Sequence, residues 1–104
     1  MPKTATTYQP HLLDPHSAEP KPVSPGTGRS FKLAELYTLL DCRRVDVVRL
    51  TDELFLTIDD EDKFRSPAYL NLLATYLWHH HQPAARGVDY IVGRAVLCHD
   101  KQFR

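Results

Sequence analysis

The residues of this chain best suited to bind a transition metal are the triplet His79-His80-His81, the pair Cys98-His99, and Cys42. A zinc site needs three or four such ligands converging at about 2.0–2.3 Å. Consecutive residues of a helix point in directions about 100° apart, so the triplet cannot chelate an ion as a unit. We therefore predict no metal site and no cofactor, and interpret the triplet as histidines that interact with a helix C-terminal dipole. A metal-dependent hydrolase using His79 to His81 with His99 is the least favoured hypothesis.

The acidic run Asp59-Asp60-Glu61-Asp62 is the second group whose residue types could bind a metal ion. An EF-hand loop needs glycine at its sixth position, and none follows here, so we exclude a calcium loop and predict a solvated turn. No serine has a recognisable setting for nucleophilic catalysis, and no glycine-rich phosphate loop is present. We predict that the protein is not an enzyme.

Asn71, Thr75 and Trp78 have the spacing of one helical stripe, and neither Asn nor Thr is a strong helix former. Hydrogen-bonding groups beside an indole are typical of pockets that bind rings or amides. This pattern favours a small, nucleotide-like ligand near Asn71 and Thr75, with Arg94 or Arg49 contacting its phosphates. The competing interpretation is that Asn71 serves backbone groups, as buried asparagines most often do.

The aromatic residues Tyr69, Tyr76 and Trp78 are candidate anchors for a protein partner, because aromatic side chains dominate binding hot spots. A small domain buries a modest share of its surface and gains stability from an added partner. We therefore expect either a host protein or a second copy of the chain as the partner.

The prolines divide the chain, since six of the eight lie before Arg29. Residues 1–28 contain few large apolar side chains, and such a segment cannot offset the entropy of ordering its backbone. We predict a disordered, Pro-rich tail over residues 1–28 and a compact domain over residues 29–104. Tyr8, Leu12 and Leu13 are the groups of the tail that could dock onto a neighbour.

The predicted domain contains two helices and three strands. Ser30 is a candidate N-cap for the first helix, and Ser66-Pro67 is a strong start signal for the second. The pattern of residues 45–50 and 54–58 predicts two strands joined as a hairpin, and residues 89–98 are predicted to form a last strand. The order predicts an α+β fold with a three-stranded, mostly antiparallel sheet and two helices on one face, preceded by the tail.

Charge and hydropathy exclude several classes of partner. The 13 basic and 13 acidic residues cancel, so attraction to nucleic acid is not predicted. No segment approaches the roughly 20 apolar residues that span a bilayer, and the N-terminus lacks an apolar signal segment. We expect a cytoplasmic protein without a membrane partner.

With these residues in view, the chain resembles a family of small uncharacterised proteins encoded by phages, plasmids and other mobile elements. The likeness covers residues 30–98 and rests on five short motifs: Phe31–Leu36, Val45–Val48, Leu56–Glu61, Asn71-Leu72-Leu73-Ala74-Thr75 and Ile91-Val92-Gly93. The chain departs from the family at Cys42-Arg43, where the family tends to have glycines. The resemblance implies a mobile-element accessory protein, and it carries over no catalytic residue.

These observations favour a non-enzymatic binding protein of a phage or plasmid. In one version it counteracts a host defence system by binding a host protein. The alternative is the small-molecule protein with its pocket near Asn71 and Thr75.

Overall fold

The computed structural model describes residues 9–17, 19–26, 30–59, 68–87 and 89–99. These residues form an α+β fold with five strands and two α-helices. The elements in chain order are β1 (His11–Leu13), β2 (Lys21–Pro22), α1 (Leu33–Leu40), β3 (Val45–Arg49), β4 (Leu54–Asp59), α2 (Leu72–His81), a 3₁₀ turn (Pro83–Ala85) and β5 (Ala95–His99).

The sheet is antiparallel throughout, with the strand order β2-β1-β5-β4-β3. The prediction of three strands preceded by a tail is therefore wrong, because residues 11–22 supply two strands. Leu13 pairs with Ala95 across the β1–β5 ladder and is 2 % exposed. The free energy of burying such a leucine, about 1.5–3 kcal/mol, helps to offset the ordering of this segment.

The two helices lie on opposite faces of the sheet, so the prediction of both on one face is also wrong. Neighbouring residues of a strand point to opposite faces. Ala95 packs in the core with Ala74 of α2, whereas Val96 packs in the core with Leu36 of α1. Both faces are therefore covered, which explains why β5 is apolar from Ala95 to Cys98.

The predicted β3–β4 hairpin is confirmed, and in its observed register Val48 lies opposite Leu56. Thr51 closes its turn, because its Oγ1 accepts hydrogen bonds from the N–H groups of Glu53 at 3.1 Å and Leu54 at 3.0 Å. Such local side-chain bonds are a frequent stabiliser of turns.

Helix α1 begins later than predicted, with Lys32 rather than Ser30 at the N-cap. Glu35 stabilises this end of the helix. Its Oε1 accepts from the Lys32 N–H at 2.8 Å and its Oε2 accepts from the Gly26 N–H at 2.6 Å. These two bonds, the one from Lys32 foremost, hold the pKa of Glu35 below its usual value.

Helix α2 and β5 are both shorter than predicted. Residues 68–71 are not helical, and α2 starts at Leu72; Ser66-Pro67 lies outside the described residues. β5 starts at Ala95, because Gly93 has a φ of 80° that interrupts extended pairing. Val92 forms a single bridge with Leu70 instead. Neither described helix is long and apolar enough to cross a membrane.

Candidate functional site

The side chain of Asn71 connects three parts of the backbone and is 1 % exposed. Its Oδ1 accepts from the Ala74 N–H at 3.0 Å, which caps α2. Its Nδ2 donates to the carbonyls of Leu13 at 2.9 Å and Gly93 at 2.8 Å. The amide of Asn71 is therefore engaged by backbone groups of β1, α2 and the segment before β5.

Thr75 has a similar role one turn further along α2. Its Oγ1 accepts from the Ile91 N–H at 2.9 Å and lies 3.4 Å from the Ile91 carbonyl, to which it donates. Both polar residues of the predicted ligand pocket thus satisfy backbone groups. The contacts of Asn71 are those expected from the competing interpretation, in which its side chain serves backbone groups.

The two arginines that were expected to contact phosphates have other partners in the structure. Arg94 donates from Nη1 to the Leu39 carbonyl at 3.3 Å, and its Nε is 3.6 Å from the Asp14 carboxylate. The guanidinium of Arg49 stacks over the Phe55 ring, 5.1 Å from its centroid. Both therefore contact groups on the α1 side of the sheet.

Trp78 lines a cleft of about 700 Å³ on the opposite side, a volume typical of ligand sites. We call it the β3 cleft, since it lies between β3 and the chain that follows α2. Two aspartates and a second aromatic residue share its lining, namely Asp46, Asp89 and Tyr90. Asp59 also lines it, but its side chain is on the other face of β4, as that of Phe55 is. The lining is therefore acidic and aromatic.

The outward side of α2 carries a second candidate surface. Leu72 is 71 % exposed, Tyr76 is 63 % exposed and Leu73 is 36 % exposed. His80 stacks on Tyr76, with ring centroids 6.0 Å apart. These four residues, Leu72, Leu73, Tyr76 and His80, are the outer stripe of α2. Tyr69 lies just before the helix and is half exposed, with its ring against His16.

The structure thus separates the three predicted anchors. Tyr69 and Tyr76 are on or beside the outer stripe, whereas Trp78 is in the β3 cleft and packs partly against the core. Leu72 was missed by sequence reasoning. Its signal is that residues 66–85 contain no Asp, Glu, Lys or Arg, although one side of a surface helix is normally charged.

The histidines considered as metal ligands each contact a neighbouring group in the structure. His79 has its Nε2 2.8 Å from the Asp89 carbonyl, His81 packs edge-on against His80, and His99 lies 3.6 Å from Glu53. In the described ranges, no group of three or more His, Cys, Asp or Glu residues is arranged to hold a metal ion.

The fold defines the chain as a small α+β protein. Its family follows from the sequence: the chain belongs to the family described as Domain of unknown function (DUF3846), whose model matches residues 11–103. The match includes β1 and β2, and it confirms the resemblance to an uncharacterised family. No curated protein and no solved structure matches the chain.

Proposed function

We propose that this chain is a non-enzymatic binding protein of a phage or plasmid, which acts in the bacterial cytoplasm by docking the outer stripe of α2 onto a host protein. Blocking a host defence protein is the biological role we assign to that contact. The observation that carries the proposal is the exposure of Leu72 and Tyr76 on a helix whose opposite side is already in the core.

The stripe has the composition of an interface centre. Leu72 and Tyr76 are four residues apart, so their side chains are neighbours on the helix surface. Charged residues are depleted at the centres of protein interfaces, while aromatic residues are enriched there. An apolar helix face of this kind fits an apolar groove on another folded protein. A stripe without charge also lowers the desolvation cost of that contact.

Site-specific photo-crosslinking tests the proposal in cells. A benzophenone amino acid at position 72 should form one defined crosslink to a host protein. The matched control carries it at position 33, because Leu33 is an exposed leucine on α1. Leu72→Asp should abolish the crosslink from position 76, whereas Leu33→Asp should preserve it. In a host with active defence, Leu72→Asp should also lower plasmid establishment, and Leu33→Asp should not.

Two results would contradict this function. Crosslinking between copies of the chain, together with a dimer in sedimentation that Leu72→Asp disrupts, would assign the stripe to self-association. Equal crosslinking from positions 72 and 33 would show that the stripe is not a specific interface.

The β3 cleft favours one second candidate, a protein that binds a small molecule with a ring. Trp78 and Tyr90 provide aromatic surfaces there. The cleft replaces Asn71 and Thr75 as the candidate pocket, and its carboxylates disfavour a ligand that presents phosphates to them. Native mass spectrometry of gently purified protein tests this candidate, since a retained ligand adds mass that Trp78→Leu should remove.

A further inference from the structure

Among the described residues, the outer edge of β3 has no neighbouring strand, and β3 also lines the β3 cleft. β3 is the last strand of the sheet order and pairs only with β4 in the described part of the chain. The Val47 N–H is directed at Asp46 Oδ1, 2.8 Å away, and so does not face β4. Alternate residues of a strand send both backbone groups to the same side. Val45, Val47 and Arg49 therefore offer a row of backbone donors and acceptors to an added strand.

The side chains next to this edge determine what such a strand would carry. Asp46 and Val48 are on the same face of β3 as the cleft, and both line it. Asp46 and Asp89 line the cleft together with Trp78. Arg49 also lines it, but its guanidinium is committed to the Phe55 ring on the other face of the sheet. The cleft is thus a site of negative charge with an aromatic surface.

We infer that β3 binds an extended, basic peptide segment of a partner protein, which adds to the open edge as a sixth strand and places a Lys or Arg side chain in the β3 cleft. Main-chain hydrogen bonds to β3 would supply affinity, and alternate side chains would supply specificity. A cation over an indole, flanked by carboxylates, is a favourable pairing. This surface is separate from the outer stripe, so the inference goes beyond the proposed function.

In this inference the carboxylate of Asp46 has different partners with and without a bound peptide. Without a peptide its carboxylate accepts from the Val47 N–H, which shields the edge. When a peptide carbonyl takes over that N–H, the carboxylate is released and can pair with the incoming cation. One residue then both limits accidental strand pairing and recognises a basic side chain.

The test uses the full chain and a fluorescein-labelled peptide, Thr-Arg-Val-Arg-Val-Thr, in which the two arginines share one face. We expect saturable binding by fluorescence anisotropy, weakened as salt rises from about 0.05 M to about 0.5 M because partly exposed charge pairs are screened. The matched peptide with glutamate in place of arginine should not bind. Asp46→Asn keeps an oxygen acceptor for Val47 but removes the charge, and it should weaken binding about two- to fivefold.

Val47→Pro separates strand addition from simple attraction between charges. It removes an N–H that points away from β4, and proline is tolerated at such edge positions. We expect at least a tenfold loss of binding, roughly the loss of one to two strand hydrogen bonds. Circular dichroism checks the fold of the variant. If Val47→Pro fails to fold, a peptide methylated at alternate backbone nitrogens makes the same test from the ligand side.

Four results would overturn the inference. They are no saturable binding up to about 1 mM peptide, equal binding by Val47→Pro, displacement of the peptide by free arginine at equal concentration, and tighter binding by Asp46→Asn. The third would indicate a site for a free organic cation. The fourth would show that Asp46 only limits strand pairing at the edge and does not recognise a basic side chain.

Discussion

Asn71 satisfies buried backbone groups that lie far apart in the sequence. One amide caps α2 at Ala74 and also binds the carbonyls of Leu13 and Gly93. A buried carbonyl without a donor is costly, because it has given up its hydrogen bonds to water. The structural contribution of this side chain therefore extends well beyond the helix that it caps.

Asn71→Ala should lower the free energy of unfolding by about 2–4 kcal/mol, from the lost cap and two unsatisfied carbonyls. Asn71→Asp keeps the cap acceptor but sets a carboxylate against both carbonyls, so it should also destabilise. Urea unfolding measures both changes. Thr75→Val, which loses one hydroxyl, should cost about 1 kcal/mol. A change below about 0.5 kcal/mol for Asn71→Ala would disprove this role.

The sequence marked Asn71 as unusual but could not distinguish its two interpretations. Residue type and spacing are local information, whereas the partners of Asn71 include the carbonyl of Leu13, which the sequence analysis placed in a disordered tail. Substitutions at Asn71 and Thr75 consequently report on the fold. The β3 cleft could not be predicted, since Asp46 and Trp78 are brought together only by tertiary packing.

Removal of β1 should have a large effect on stability. It is three residues long, yet it covers one edge of β5 and places Leu13 in the α2-side core. Leu13→Ala should cost about 2–4 kcal/mol, as for other buried leucines. The matched control Leu72→Ala, at 71 % exposure, should change stability by less than about 0.5 kcal/mol.

Deletion of residues 1–24 extends the same prediction to the whole element. The truncated chain should lose cooperative thermal unfolding, because the β5 edge and its core are exposed. A cooperative transition close to that of the full chain would show instead that residues 25–104 fold alone.

The elements that sequence reasoning found share a local signal. The β3–β4 hairpin has alternating apolar residues and a short polar turn, and both helices have apolar stripes at helical spacing. β1 and β2 have too few residues to show a period, and β1 is confirmed as a strand only by its long-range pairing with β5. The prediction that both helices lie on one face was wrong because an apolar stripe does not indicate which face of a sheet it covers.

At the scale of the whole molecule, the pH dependence of the free energy of unfolding should report the burial of Cys98 in the core on the α1 side. Burial raises the pKa of the Cys98 thiol to about 12 from a usual 9.0. Below pH 9.0 the thiol is protonated whether the chain is folded or unfolded. Between those values it ionises only when unfolded, so stability falls as pH rises, by at most about 1.4 kcal/mol per pH unit.

Chemical denaturation at several alkaline pH values measures this slope. Cys98→Ala should be less stable at neutral pH, because the side chain is fully buried, but its stability should fall less steeply above pH 9.0. Equal slopes for both proteins would refute the assignment. Thiol reagents should modify Cys98 only after unfolding, because the thiolate is the reactive form.

The position of β5 in the sheet has a consequence for how the protein is made. β5 lies between β1 and β4, but it is the last of the five strands to leave the ribosome. Until then the nascent chain can form only two separate hairpins, and such hairpins are marginal in water. Pairing between distant strands is also slow. Newly made chains therefore expose both hairpins to proteases and to other copies of the chain. The yield of folded protein in the cell then depends on how fast β5 pairs with β1 and β4.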